Sequence, residues 1–320
     1  MRVRAAASFT PGDWRAWDAY VQSHPGGWFW HTSGWLHYQL AFRPGNEQAS
    51  FMVLSDDGVV LAVVPLVLVH RVDRVAGVAG PVRELSYSGD PLPLPLSSSP
   101  TAAGFALEEL RRQARRQGVS KVRFWEHPFC DARHQSLGAH ARGVRYVAAA
   151  QRVVDGVPAW AEVRASYRSL IHRGQRKYRI SSATGDTEAA AALFSQYVVL
   201  HRRMTNHPRA DATYRLQREW LAAGLALVVV AEDAAGTWGA AYWNAYRGAA
   251  YYSSGAYTAP DVGHALAWEA LRALAELGVT CASLGWQGTA VSDKERAIEF
   301  FKRGFGGADV SCREVVLEVS

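Results

Sequence analysis

Residues 266–288 read LAWEALRALAELGVTCASLGWQG, and residues 105–127, about 160 positions earlier, read FALEELRRQARRQGVSKVRFWEH. Each stretch opens with apolar residues at helical spacing, meets a glycine that ends the helix, and continues as a strand. A helix that runs directly into a strand, with other strands ahead of it, is the crossover of a mixed α/β sheet. Ahead of the first copy, FMVLSDDGVVLAVVPLVLVHR (51–71) sets Asp-Gly between two apolar runs, a hairpin signal. Ahead of the second, a strand over 225–232, a turn over 233–237 and GAAYWNAYRGAAYYSSGAY (239–257) repeat the theme. The same order thus occurs twice, which predicts two tandem α/β modules with mixed sheets, residues 1–155 and 156–320. Helical material over 160–223 bridges them: residues 161–181, then Thr187 to Met204, then Tyr214 to Ala222.

The remaining stretches are simpler to read. Trp14, Trp17 and Tyr20 follow Pro11-Gly12-Asp13 at helical spacing, and a second helix is expected from Ser33. SYSGDPLPLPLSSSP (86–100) carries too many prolines for regular structure.

With 320 residues, 49% apolar and 20% charged, the chain has the composition of an ordinary globular protein large enough for two cores. The N-terminus lacks the apolar run of a secretory leader, and the longest greasy stretch, 59–69, contains Pro65 and is too short to span a bilayer. Cys130, Cys281 and Cys312 form no CxxC pair. These features predict a reduced, cytoplasmic protein without structural metal and without a membrane partner. Neither HExxH, GxSxG, a phosphate loop nor a dinucleotide fingerprint occurs, so no cofactor is expected.

Two patterns carry chemistry. Arg164, Arg168, Arg173, Arg176, Lys177 and Arg179 follow one another with no acidic residue between them. Such a one-signed face suits a polyanion, phosphates or nucleic acid, whereas a solvated helix usually interleaves its charges. SDKERAIEFFKRGFGG (292–307) reads as a helix that stops at glycines. Lys302 stands on its last turn and is one of only four lysines in a chain that otherwise uses arginine. A compact ammonium suits a single developing oxyanion better than a planar guanidinium does; a solvated lysine favoured by the helix dipole is the other reading. Tyr252, Ser254 and Tyr257, with Trp286 on the strand after the crossover helix, either line a cleft or fill the core.

The duplicated module, the arginine-rich bridging helix, GAYTAPDVGHALAWEALRALAELGV (255–279) and FFKRGFG (300–306) resemble the Fem-type aminoacyl transferases, whose modules have the acetyltransferase (GNAT) fold. The resemblance covers most of the chain and is fuller from about Ser166 to Gly307. It implies transfer of an amino acid from aminoacyl-tRNA to an amine, with amide formation. It also implies that Phe301 and Lys302 contact the tRNA acceptor end and the reacting ester. Tyr87 and Asp90 match an acceptor-cleft pair of the first module, and Arg173, Arg176 and Lys177 are the nearest equivalents of phosphate-contacting residues on the bridging helix; Arg303 is a further candidate for tRNA phosphates. Some Fem enzymes carry a long helical hairpin, and no heptad repeat for one exists here. The short form is similar to relatives that build amides in small-molecule or antibiotic pathways. Three alternatives stay open: an acyl-CoA N-acyltransferase of the same fold, a cell-wall peptide-bridge ligase, and a silent nucleic-acid-binding module. The Gly-rich pyrophosphate loop that acetyltransferases place before the crossover helix is missing from both junctions.

Overall fold

A computed structural model of the chain describes residues 1–43, 45–75, 78–86, 92–119, 121–129, 144–205 and 209–319. The chain divides into two compact units, Met1–Ala148 with Cys312–Ser320, and Ala149–Ser311.

The first unit contains β1 (Arg2–Ala5), α1 (Pro11–Ser23), α2 (Ser33–Phe42), β2 (Glu47–Gln48), β3 (Phe51–Leu54), β4 (Val60–Val64), β5 (Val67–Val75) and β6 (Val78–Leu85), then β7 (Leu92–Pro93), β8 (Leu96–Ser97), α3 (Pro100–Arg116) and β9 (Lys121–Trp125). The predicted hairpin is the β3–β4 pair, turned by Gly58 at φ +90°. One small sheet has the order β1-β3-β4-β8. In the other, β6 lies antiparallel to β5 and parallel to β9, so α3 is the crossover that the sequence announced. The proline-rich stretch, expected to be irregular, still supplies two-residue strands, because Leu92 and Pro93 pair parallel with Phe124 and Trp125 at the sheet.

The second unit holds most of β10 (Val144–Asp155), then α4 (Ala165–Lys177), β11 (Arg179–Ala183), α5 (Glu188–Met204), α6 (Asp211–Ala222), β12 (Ala226–Asp233), β13 (Gly236–Tyr246), β14 (Ala249–Tyr257), α7 (Pro260–Glu276), β15 (Cys281–Gln287) and α8 (Asp293–Arg303). Its strands run β11-β12-β13-β14-β15-β10. Trp243 and its neighbour Tyr242, both fully buried, show how helices cover both faces. Trp243 joins a core built by Ile171 of α4, Leu266 and Leu271 of α7, Leu284 and Phe305. Tyr242 packs on Phe194 and Tyr197 of α5 and donates its hydroxyl to the Gln217 carbonyl of α6 at 2.7 Å. Truncating such a fully buried aromatic to alanine costs about 3–5 kcal/mol.

Two segments differ from the sequence reading. The bridging helix stops at Lys177, and Arg179–Ala183 pairs antiparallel with β12; Arg179 faces Glu232 across the strands and bonds it, so it belongs to an edge strand rather than the basic helix. The C-terminal strand β16 (Ala308–Glu318), placed by sequence in the second module, pairs through Glu314–Glu318 with β9 of the first unit. An ion pair accompanies that return: the half-exposed Arg313 bonds the nearly inaccessible Glu126 at 2.6 Å. No described helix is long and apolar enough to cross a membrane.

Candidate active site

The second unit contains a gap in its own sheet. Strands β14 and β15, joined by crossover helix α7, pair in parallel only at Ala249–Cys281, Ala250–Ala282 and Tyr251–Ser283. Beyond those three pairs each strand continues without the other. Ala249 and Ala250 are buried, whereas residues 251–255 are half-exposed although β14 lies in the interior of the sheet. Parted parallel strands leave backbone and side chains accessible at their C-terminal ends, where open α/β sheets bind ligands.

Helix α8 reaches this gap. Ser292 caps its N-terminus in a capping box with Glu295, and Asp293 and Glu295 favour the positive end of the helix. At the other end Gly304 keeps helical backbone angles (φ −74°). It is glycine because a Cβ there would stand 1.9 Å from the Tyr167 ring. The left-handed residues come later, at Gly306 and Gly307. The close approach of α4 to Gly304, with Arg164 N–H donating to the Gly304 carbonyl at 2.9 Å, fixes the last turn of α8.

Lys302 points from that turn into the gap. Its Nζ donates to the Trp286 carbonyl of β15 at 3.2 Å. Gly285, at φ +97°, has no side chain to occupy the space beside it: a Cβ there would lie 2.9 Å from Lys302 Nζ and 3.6 Å from the Tyr251 hydroxyl. The missing side chain is what lets the Lys302 ammonium lie against the β15 backbone, on the side where the Tyr251 hydroxyl also stands. Burial holds the Lys302 pKa below the ordinary lysine value, with Glu299 opposing that shift. Glu299 in turn accepts from the Thr289 and Ala290 N–H groups, both at 2.9 Å.

The other residues singled out by sequence scatter around this point. Trp286 meets Lys302 through its carbonyl. Phe301 is enclosed by Tyr257 (6.2 Å between ring centres), His264 (5.0 Å), Phe305 (5.1 Å) and Tyr167 (6.3 Å). Tyr257 also lies against Gly263, where a Cβ would stand 3.0 Å from its ring. Tyr252 packs on Trp243 at 5.0 Å, and its hydroxyl, whose pKa burial raises well above normal, sits against Gly255. Ser254 faces α5, 2.7 Å from the Tyr197 hydroxyl. Tyr87 and Asp90 lie outside the described residues. Tyr251, unmarked among the five tyrosines of its hairpin, is the gap residue that sequence reasoning missed; only the strand register singles it out.

The basic residues divide in the same way. Arg173, Arg176 and Lys177 are exposed on α4, and neither Arg173 nor Arg176 meets a carboxylate among the described residues. The Lys177 ammonium rests 4.8 Å from the Tyr178 ring centre. Arg303 shares the Asp309 carboxylate with Arg152 at 3.2 and 3.0 Å. Arg164, which also meets no carboxylate among the described residues, lays its guanidinium 3.7 Å over the ring of Phe300.

The first turn of α7 lies nearby, at the position where a pyrophosphate would meet a helix N-terminus. Asp261 sits there, buried, and its carboxylate accepts from the Val262 N–H at 3.1 Å. Helix α4 crosses the same turn so closely that a Cβ on Gly174 would stand 2.7 Å from the Asp261 carbonyl oxygen.

No family model matches the sequence, and no curated protein matches it. Among solved structures the chain is similar to FemX, at 12% identity and TM-score 0.61 over 98% of this chain and 97% of that one. It is also similar to L-PGS from Bacillus licheniformis, at 13% identity and TM-score 0.60 over 97% and 92%. A third is the C-terminal domain of a putative lysylphosphatidylglycerol synthetase from Agrobacterium fabrum, at 12% identity and TM-score 0.59 over 96% and 91%. At these identities the likeness is one of fold. The expected class, an α/β protein with mixed sheets, is the one found.

Proposed function

We propose that this chain is an amide-forming acyltransferase that moves an amino acid from aminoacyl-tRNA to the amine of a small-molecule or peptide acceptor, as in natural-product biosynthesis. The observation that carries the reading is the position of Lys302 Nζ at the mouth of the parted strands, against Gly285 and bonded to the Trp286 carbonyl. In the reaction the acceptor nitrogen attacks the ester carbonyl carbon, a C–N bond forms, and the carbonyl oxygen becomes an oxyanion. The Lys302 ammonium faces that charge, with the Tyr251 hydroxyl as a second donor. Collapse breaks the C–O bond to the ribose, and the proton lost by the amine ends on the released ribose hydroxyl. An oxyester is already activated, so positioning and charge stabilisation suffice without a dedicated base.

Asp261 favours tRNA over coenzyme A as the donor. A carboxylate buried in the first turn of α7 opposes an incoming pyrophosphate, and α4 covers the same backbone. Arg173 and Arg176, exposed and without a carboxylate partner among the described residues, supply charge for a polyanion instead. The test is to incubate the protein with radiolabelled aminoacyl-tRNA, one amino acid at a time, and a pool of amines. The reading requires labelled amide whose formation ribonuclease pretreatment stops. Calorimetric binding of acetyl-CoA together with acetylation of an amine would replace it with the coenzyme A reading.

A further inference from the structure

The second half of helix α3 places acids one turn ahead of bases. Arg111 bonds Glu108 at 2.6 Å, and Arg112 Nε donates to Glu109 at 2.6 Å. Gln113 Nε2 donates to the other Glu109 oxygen at 3.0 Å, so this buried carboxylate is engaged at both oxygens. Arg116, one turn beyond Arg112 on the same face, is exposed and meets no carboxylate among the described residues.

That face borders a cavity of about 410 Å³ in the first unit. Val3 and Ala5 of β1 and Leu68 of β5 give it apolar walls, and the edge strand β2 supplies Glu47 and Gln48. The Glu47 carboxylate accepts from His70 Nε2 at 3.0 Å and meets no lysine or arginine among the described residues. Gln48 Oε1 accepts from the Ser50 N–H at 3.0 Å, while Gln48 Nε2 is buried without a hydrogen-bond partner among the described residues. The cavity adjoins the C-terminal half of the crossover helix, the end opposite to the one at which open α/β sheets bind ligands.

We infer that this cavity binds a small zwitterion, a free α-amino acid or a short peptide. Among the charges that line it, Arg112 and Glu109 satisfy each other, whereas Arg116 and Glu47 do not pair. One cation and one anion thus face the same space, each without an opposite charge. A ligand carboxylate bonds the Arg116 guanidinium, and the ligand ammonium bonds Glu47. A phosphate would be repelled by Glu47, and a simple amine would leave Arg116 unanswered. The side chain of the ligand lies on the Val3, Ala5 and Leu68 walls, and the volume is at the small end of ligand cavities. This inference does not depend on the donor used at Lys302.

The experiment is equilibrium dialysis of the full chain against radiolabelled L-leucine, L-alanine and L-alanyl-L-alanine. At least one of the three should bind saturably. The amide of that compound, which lacks the carboxylate, and its N-acetyl derivative, which lacks the ammonium, should each compete about ten- to a hundred-fold more weakly. Arg116→Gln and Glu47→Gln should each weaken binding by a similar factor, and Arg116→Lys should lose less than Arg116→Gln. Circular dichroism checks that these exposed substitutions leave the fold intact. If none of the three compounds binds, or if Arg116→Gln and Glu47→Gln bind like wild type, the site is overturned. An N-acetyl derivative that competes as well as the parent compound would overturn the zwitterion, because the ammonium would then have no partner in the site.

Discussion

Lys302 Nζ bonds the Trp286 carbonyl at 3.2 Å across the side of β15 where Gly285 leaves a Cβ position empty. The two residues are held by different elements. Trp286 follows the point at which β15 parts from β14, and Lys302 is set by the α8 turn that packs on Tyr167. A lysine anchored to a main-chain oxygen is oriented without being neutralised, so its positive charge remains available to a ligand. Its partial burial strengthens that charge at short range, since solvent screens it less.

The pH dependence follows from the same burial. The ammonium form is the active one, and desolvation lowers its pKa from the ordinary lysine value. Transfer should therefore fall on the alkaline side at a lower pH than an unperturbed lysine would give. Lys302→Arg, which stays charged throughout, should lose this alkaline limb whatever its absolute rate. A limb that persists unchanged in Lys302→Arg would assign it to another group.

Gly285→Ala should damage both fold and activity. At φ +97° a side chain is strained by roughly 1–3 kcal/mol, and its Cβ would stand 2.9 Å from Lys302 Nζ. Displacing the ammonium by about 1 Å costs on the order of a hundred-fold in rate. Thermal unfolding and single-turnover kinetics on the same preparation separate the two effects; wild-type transfer by Gly285→Ala would mean that the close fit of Lys302 against Gly285 plays no part.

Tyr251→Phe removes a hydroxyl and leaves the ring. If that hydroxyl is a second oxyanion donor, the variant should lose about ten- to a hundred-fold in transfer rate, less than the loss of a charged donor. The Michaelis constant for the acceptor should hardly move. A raised Michaelis constant with an unchanged turnover rate would make Tyr251 a binding group instead.

Neutralising Arg173, Arg176 and Lys177 together tests the exposed face of α4. If all three meet RNA phosphates, the slope of log affinity against log salt should fall by about two to three units. An unchanged tRNA affinity accompanied by a higher Michaelis constant for a phosphorylated acceptor would reassign the face to that acceptor. No change in either would make it solvated surface.

Much of the architecture is legible in the sequence because it is local. The helix-glycine-strand pattern at 105–127 and 266–288 marks both crossovers, and Asp-Gly at 57–58 marks the hairpin. Edge pairing is not local: nothing in the arginine run says that Arg179 will find Glu232, or that the C-terminal strand will return to β9. The site divides on the same line. Lys302 stands out by composition, being one of four lysines, but its meeting with Gly285 and Tyr251 depends on strands that stop pairing after three residues. Phe300 and Phe301 look equivalent as letters, and only the packing of Tyr257, His264 and Phe305 around one of them tells them apart.

The most direct test of the account is single-turnover transfer from labelled aminoacyl-tRNA by Lys302→Met. Methionine keeps most of the length and apolar surface of lysine and removes a partly desolvated charge, so the unfolding midpoint at neutral pH should be unchanged or raised. Transfer should fall by about a hundred- to a thousand-fold, the usual cost of losing one oxyanion donor. A folded Lys302→Met protein that retains more than about a tenth of the wild-type rate would contradict the account, because that loss is too small for the group that faces the oxyanion.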